Sequence, residues 1–377
     1  MKKILVTAEK IANPRRGGAR SLFAFLKRLS EDYEVTVITP GDADFVKGGF
    51  PYQLISKKRP FYVRIFKSYL KINIQNIWWK RILMKKLNRE KFDLVISHGI
   101  LLPSLLGLPS KKMIFIREVG FFSPGVDSVP PEKCHKTFYN YLPWIFKIQY
   151  PLLAYYRKKA LESIRCADLV FSISQFTKKV TKSYTGKNSF ILNPEVSRED
   201  YLSLSRDPKY ILFVNPTRAK GVDLMRRIAE SLPEKKFLVV GKGDLLGRKE
   251  YNLMASLPNV VFEGELSDMK TIYEKVKLLV NTSRCYEGFG RTPVEAMING
   301  IPSVVSGAGA LPEVVGNSGD VVRNFSLPSE WIKKIKKYDN PSYYHEKAIA
   351  CKRRSKILQR RNEEQYKRLK REIDKII

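Results

Sequence analysis

The chain has 377 residues, 69 Lys and Arg against 37 Asp and Glu, a formal net charge of +32 and 44% hydrophobic residues. That hydrophobic content supports packed cores and excludes a disordered basic tail, and the length suits two domains. The charge favours anionic partners such as nucleotide diphosphates, acidic lipid headgroups or nucleic acid, and leaves the fold open.

Met1 to Lys10 reads MKKILVTAEK, a short apolar run ahead of Glu9 that predicts a strand rather than a signal peptide. Arg15 and Arg16 then precede Gly17-Gly18 and an apolar helix starting near Ser21, and two glycines at a helix start let an anion approach the backbone. Apolar, β-branched runs predict strands at Ile4–Ala8, Val35–Thr39, Leu94–Ser97, Met113–Arg117, Leu169–Ser174 and Phe190–Leu192. After a polar stretch from Pro194 to Lys209, strands resume at Tyr210–Asn215, Phe237–Gly241, Val260–Phe262, Leu278–Thr282, Ser303–Ser306 and Val321–Val322. Helix-period segments between them predict α/β architecture: two Rossmann-like, doubly wound parallel-sheet domains over 1–200 and 201–345, then a basic helix over 346–377. Ligands of such folds sit beyond the carboxyl ends of the strands, in the cleft between the halves.

Asp42-Ala43-Asp44 reads as a solvated turn rather than a metal site. His98 follows a strand, and a lone histidine there is most often a hydrogen-bonded structural residue; His135 and His345 lack metal-ligand spacing. From Lys57 to Lys91 there are 12 Lys and Arg and one acid, Glu90. Ile74, Trp78 and Ile82 recur there at helical spacing, with Trp79, Leu83 and Leu87 beside them and Lys80, Arg81 and Lys85 flanking. A basic helix with tryptophans suits an anionic bilayer interface, and the competing reading is a stripe that faces the core. Lys133 to Lys159 adds eight aromatics, among them Trp144, Phe146, Tyr155 and Tyr156, with no acid. No run reaches the length of a membrane span.

The second half carries the denser signals. Lys220-Gly221 follows a strand with Arg218 close by, and Val240-Gly241-Lys242-Gly243 and Phe262-Glu263-Gly264-Glu265-Leu266 end two more. Cys285 to Gly300 reads CYEGFGRTPVEAMING. Thr292 is a good N-cap, Pro293 fits the first helical position, and Gly300 closes the helix. The amides around Gly290, Arg291 and Thr292 then form an anion site, to which Arg291 adds a charge. Glu295 has two readings, since Thr292-Pro293-Val294-Glu295 is also a capping box that would turn the carboxylate back to Thr292. Cys285, one of four widely spaced cysteines with Cys134, Cys166 and Cys351, reads as a small buried strand-end residue. With no Cys-x-x-Cys pair, a reducing cytoplasm fits.

The stretch from Cys285, extended by EAMINGIPSVVSGAGALPEVVG, resembles the Glu-x7-Glu motif of the retaining glycosyltransferases of family 4, which have the GT-B fold. The resemblance covers nearly the whole chain and is specific mainly from 210 to 320. It implies that Glu287 contacts the donor sugar, that Phe289, Gly290, Arg291 and Thr292 hold the diphosphate, and that Glu295 binds the ribose. It further implies a place for His98 near the donor sugar, for Gly17 and Gly18 at the donor phosphate, and for Lys220 on the diphosphate. The family commonly has a Gly-Arg pair after the strand; Asn215-Pro216 stands there, and Arg218 is a displaced substitute. Glu287, His98 and Lys220 would carry the chemistry, with no metal and no cofactor beyond the nucleotide diphosphate sugar donor. A C-terminal helix crossing back to the first domain is implied as well.

The expected function is sugar transfer to a glycan or lipid-linked acceptor at the cytoplasmic, inner face of an anionic membrane. A basic nucleic-acid- or anionic-polymer-binding protein on an α/β scaffold is the rival. It leaves the Gly-rich turns and the Glu spacing unexplained, so no nucleic acid partner is expected. A sugar phosphorylase would need a lysine-bound cofactor signature that the sequence does not show.

Overall fold

The apolar runs become parallel strands buried on both faces, as continuous Val, Ile and Leu segments require. The computed structural model of the chain describes residues 1–9, 17–40, 52–64, 68–119, 148–203, 205, 207–243, 247–264 and 268–377. In chain order, β1 is Lys3–Thr7, α1 Gly17–Asp32, β2 Glu34–Pro40, β3 Gln53–Lys57, α2 Phe61–Arg64 and α3 Ser68–Arg89. Then come β4 Leu94–Ser97, a 3-10 turn Gly99–Leu105, β5 Lys111–Ile116, α4 Tyr150–Arg165, β6 Leu169–Ser172, α5 Gln175–Thr185 and β7 Phe190–Ile191. After α6, Arg198–Tyr201, follow β8 Tyr210–Val214, α7 Val222–Glu230, β9 Lys236–Val240, α8 Arg248–Ala255, β10 Val260–Glu263 and α9 Lys270–Lys275. The chain closes with β11 Val276–Asn281, α10 Arg291–Ile298, β12 Ser303–Ser306, α11 Leu311–Val315, β13 Asp320–Val322, α12 Pro328–Lys336 and α13 Pro341–Asp374.

Among the described residues the first sheet has the order β3-β2-β1-β4-β5-β6-β7 and the second β10-β9-β8-β11-β12-β13. In each, the order reverses between the first strand and the fourth, β1 beside β4 and β8 beside β11. Loops leaving neighbouring strands in opposite directions open a crevice at that point, which is where doubly wound sheets bind ligands. One compact unit comprises Met1–Glu195 with Asn362–Ile377, and the other Val196–Arg361.

α13 therefore belongs to both units. Its last turns are fixed within the first: Arg28 donates to Glu363 at 2.9 Å and lies 3.9 Å over the Tyr366 ring, and the Tyr33 hydroxyl donates to Asp374 at 2.8 Å. Tyr366, Leu369 and Ile373 are buried there. The second unit is built around Phe213, Ile228, Phe237 and Trp331, all with almost no exposed surface.

Three expectations change. β3 was not foreseen; it is an edge strand whose QLISK sequence keeps most side chains partly exposed and runs into Lys57-Lys58-Arg59. The polar stretch after Pro194 contains the short helix α6. On α3, Trp79 and Leu83 face the core with no exposed surface, and the Trp79 Nε1–H donates to the Thr7 hydroxyl at 2.6 Å. Ile74, Trp78 and Ile82 are only half-buried, so the tryptophan pair does not form one outward stripe. In the second aromatic stretch Tyr156 is buried and Tyr155 is exposed, while Trp144 and Phe146 lie outside the described residues.

Candidate active site

In the second unit, the loops after β8 and β11 are stitched together at the sheet's reversal point. The Thr282 hydroxyl donates to the Lys220 carbonyl at 2.8 Å, and the Arg284 amide to the Ala219 carbonyl at 2.9 Å. A third loop fixes the backbone of Glu287, whose carbonyl accepts from the Ala310 amide at 2.9 Å. Gly309 makes this approach feasible, because at φ 68° a Cβ there would stand 2.3 Å from the Glu287 carbonyl oxygen. The second Gly-rich turn of the motif is thus a brace for Glu287. With both loops clamped, Lys220 Nζ donates to Glu287 Oε1 in an ion pair that stays accessible, the side chains being 26% and 17% exposed. Arg218 sits on the same loop, exposed.

α10 starts earlier than the sequence suggests. Its N-cap is Gly290, at φ 103° and with no side-chain cap, so Thr292 is the second helical residue and Pro293 the third. The left-handed glycine lets the chain enter the helix two residues ahead of the expected cap. The first amides of a helix have no carbonyl one turn back, so the positive end lies at Gly290, Arg291 and Thr292 as expected. Phe289 is buried and can offer only its backbone.

The capping box does not form. Glu295, 8% exposed, accepts from the Tyr273 hydroxyl at 2.9 Å and lies 3.5 Å from Arg291 Nε. The other end of Arg291 donates to the Tyr201 hydroxyl at 3.1 Å. Burial and the neighbouring carboxylate hold the Tyr273 phenol well above its usual pKa, so it remains a donor to Glu295. Asn299 ties the same region down, donating to the carbonyls of Tyr201 and Glu295. Tyr201 and Tyr273 were not foreseen, since α6 and α9 carry no motif and meet α10 only in three dimensions.

The first unit holds the remaining expected residues. His98 follows β4, and its Nε2 is enclosed with no hydrogen-bond partner among the described residues. Burial, aided by Arg117, lowers its pKa to about 3, so the ring is neutral near pH 7. Gly17 and Gly18 form the first residues of α1 rather than a loop ahead of it. Arg15, Arg16, Asp42, Asp44, Cys134, His135, Glu265 and Leu266 lie outside the described residues. Cys285 is partly buried, its Sγ 3.1 Å from the Ser283 hydroxyl.

Residues 15–191 match the family model Glycosyltransferase Family 4, and residues 208–338 match Glycosyl transferases group 1. The chain belongs to family 4 of the glycosyltransferases. This family 4 chain is 45% identical over 153 residues to the lipopolysaccharide core biosynthesis mannosyltransferase LpcC of Rhizobium leguminosarum bv. viciae, covering 36% of this chain and 43% of that one. It spans less than half the length of the curated relatives it matches. Sucrose-phosphate synthase from Thermosynechococcus elongatus superposes over 100% of both chains with a TM-score of 0.77 at 14% identity. HepE from Anabaena, in complex with UDP-glucose, does so over 98% of this chain and 100% of that one, with a TM-score of 0.68 at 16% identity. At such identities the likeness is one of fold, and the family 4 chain has the GT-B fold.

Proposed function

We propose that the chain is a retaining hexosyltransferase that moves a sugar from a nucleotide diphosphate sugar to a glycan or lipid-linked acceptor without a metal ion. The observation that carries this reading is the Lys220–Glu287 pair beside the positive start of α10, a cation, a carboxylate and helix amides at the reversal point of one sheet. A diphosphate entering there draws Lys220 away from Glu287 and takes the helix amides as its second anchor. Glu287 is then released to accept hydrogen bonds from sugar hydroxyls. As the bond from the anomeric carbon to the phosphate oxygen breaks, Lys220 and the amides stabilise the growing charge. The acceptor oxygen bonds to that carbon from the same face, and its proton passes to the departing phosphate oxygen. Glu295 takes the ribose, Arg218 supports Lys220, and His98, Gly17 and Gly18 keep the donor-side roles implied by the family resemblance. That HepE is found with UDP-glucose supports a nucleotide-linked donor.

The test is a thermal-shift series with uridine, guanosine and adenosine diphosphates, of which at least one is expected to raise the melting temperature through mass action. With the matching donor, activity is expected to persist in a chelator. Loss on chelation, restored by magnesium or manganese, would falsify the metal-free mechanism. Glu295→Ala is expected to weaken nucleoside diphosphate binding by about 1–3 kcal/mol, as a buried charged acceptor is removed and Tyr273 is left unpaired. Titration calorimetry giving wild-type affinity at a lowered melting temperature would assign Glu295 to structure alone.

The acceptor is proposed to be presented at an anionic membrane on the cytoplasmic side. Among the described residues no helix is long and apolar enough to cross a membrane. The first unit instead exposes Phe61, Ile77 and Ile148, 56–71% accessible, on or beside α2, α3 and α4. Arg81 and Lys85 are exposed along α3 with Ile77. Lys and Arg near an anionic leaflet contribute about 1 kcal/mol each, and apolar side chains can enter the headgroup boundary. That LpcC is a lipopolysaccharide core enzyme supports such an acceptor. Sedimentation with phosphatidylglycerol vesicles is expected to pellet the protein, less so in high salt and less for Phe61→Ser with Ile77→Ser. Equal recovery from neutral vesicles would reject the proposal.

A further inference from the structure

The carboxyl edge of the first sheet carries polar groups that the donor chemistry does not use. Glu9 lies two residues beyond β1, Arg59 two beyond β3, and Glu118 two beyond β5. Gln75 on α3 and Tyr156 on α4 stand beneath them, each 1% exposed. Arg59 Nε donates to Gln75 Oε1 at 3.2 Å, and its Nη2 donates to Glu9 Oε1 at 3.4 Å. Glu118 closes over the turn after β4, since a Cβ on Gly99 would be 3.5 Å from its Oε1. The Tyr156 hydroxyl is within electrostatic reach of both Glu9 and Glu118.

Gln75 Nε2 and the Tyr156 hydroxyl are enclosed yet have no hydrogen-bond partner among the described residues, as does His98 Nε2 on the neighbouring strand end. Buried polar atoms are ordinarily paired, and an unpaired one costs about 1–3 kcal/mol. Gln75 Nε2, beside the Arg59 that reaches Glu9, and the Tyr156 hydroxyl, close to Glu9 and Glu118, mark a binding floor rather than a packing core. The Gln75 amide is pinned through its oxygen, so its NH2 group is held in one direction as a donor.

The charges around this floor also select the ligand. Glu9 and Glu118 stand here with Arg59, in a chain whose formal net charge is +32. A phosphate or carboxylate would meet two carboxylates here, and a hydrocarbon would leave the floor unpaired. An array that mixes carboxylate acceptors with amide, phenol and guanidinium donors matches the hydroxyls of a pyranose ring.

We infer that Glu9, Arg59, Gln75, Glu118 and Tyr156 form a subsite for an uncharged sugar ring, so that the reacting end of the acceptor is a neutral glycan residue rather than a phosphorylated headgroup. The inference rests on the proposed sugar transfer and names the acceptor class. It is tested on the full chain by saturation-transfer NMR with methyl α-mannoside, methyl α-glucoside and methyl α-galactoside, against mannose 6-phosphate and glucose 6-phosphate. At least one neutral glycoside is expected to receive saturation, with affinity falling tenfold or more in Tyr156→Phe and in Glu118→Gln. Nucleoside diphosphate affinity is expected to hold in both variants. Tyr156→Phe is expected to keep or raise the melting temperature, because it removes an unpaired buried hydroxyl, whereas a purely structural tyrosine would lose stability. Preference for the sugar phosphates, no saturation of any neutral glycoside, or unchanged glycoside affinity in both variants would overturn the inference. If a nucleoside diphosphate still binds in those cases, the donor reading survives.

Discussion

Lys220→Ala is expected to lower kcat by about 10²–10³, the loss typical when one donor to a developing oxyanion is removed. Glu287→Gln is expected to lower kcat as well, yet to tighten binding of the bare nucleoside diphosphate. The opposite signs follow from the ion pair between the two side chains. In the unliganded chain Lys220 is held by Glu287, so a diphosphate must break that pair before gaining its own. Removing the carboxylate charge takes away that competitor in advance and favours the product-like ligand. It also replaces the charged acceptor that grips the sugar, a group only the donor presents, by a weaker neutral one. Single-turnover rates and calorimetry on both variants and the double mutant separate these effects, since a pair acting as one unit is non-additive. Weaker diphosphate binding in Glu287→Gln, or additive losses in the double mutant, would break the exchange mechanism.

Trp79→Ala is expected to destabilise the first unit by about 3–5 kcal/mol, the range for truncating a large buried aromatic. The substitution also strands the Thr7 hydroxyl, which sits on the interior strand β1 with no exposed surface. For a domain of this size that corresponds to a fall of roughly 6 °C or more in the melting temperature of the first unit. Trp78→Ala, removing a half-buried ring, is expected to lose much less. Calorimetry would show the contrast, and equal losses would mean that Trp79 is not the anchor of α3.

Most of the fold was legible because parallel strands buried on both faces must be apolar runs; Leu94–Ser97 and Ser303–Ser306 end at the expected residues. His98, Lys220 and Glu287 each follow such a run, in the loop beyond a strand's carboxyl end, whereas the strand order that sets the reversal points is seen only in the structure. β3 escaped because an edge strand needs only weak apolar character. The face of α3 was ambiguous for a different reason: Ile72, Ile74, Ile77, Trp78, Trp79, Ile82 and Leu83 surround most of the helix, so periodicity alone cannot choose the buried side. At α10, Thr292 and Glu295 have the spacing of a capping box, but a glycine with positive φ two residues upstream decides where the helix starts. Tyr273 lies 22 residues before Glu295, and such pairings are set by tertiary packing that no local pattern encodes.

The division of α13 between the two units also fixes an order of folding. Asn362 and Glu363 reach Arg28 across more than 330 positions, whereas the second unit is one uninterrupted segment. During synthesis the second unit's sequence is complete before the first has received Tyr366, Leu369 and Ile373. At typical translation rates the intervening segment takes roughly ten to thirty seconds to make. Throughout that time Arg28 lacks the Glu363 and Tyr366 that hold it, and the closure that brings them together is slow because it is non-local. The part made first is the part completed last.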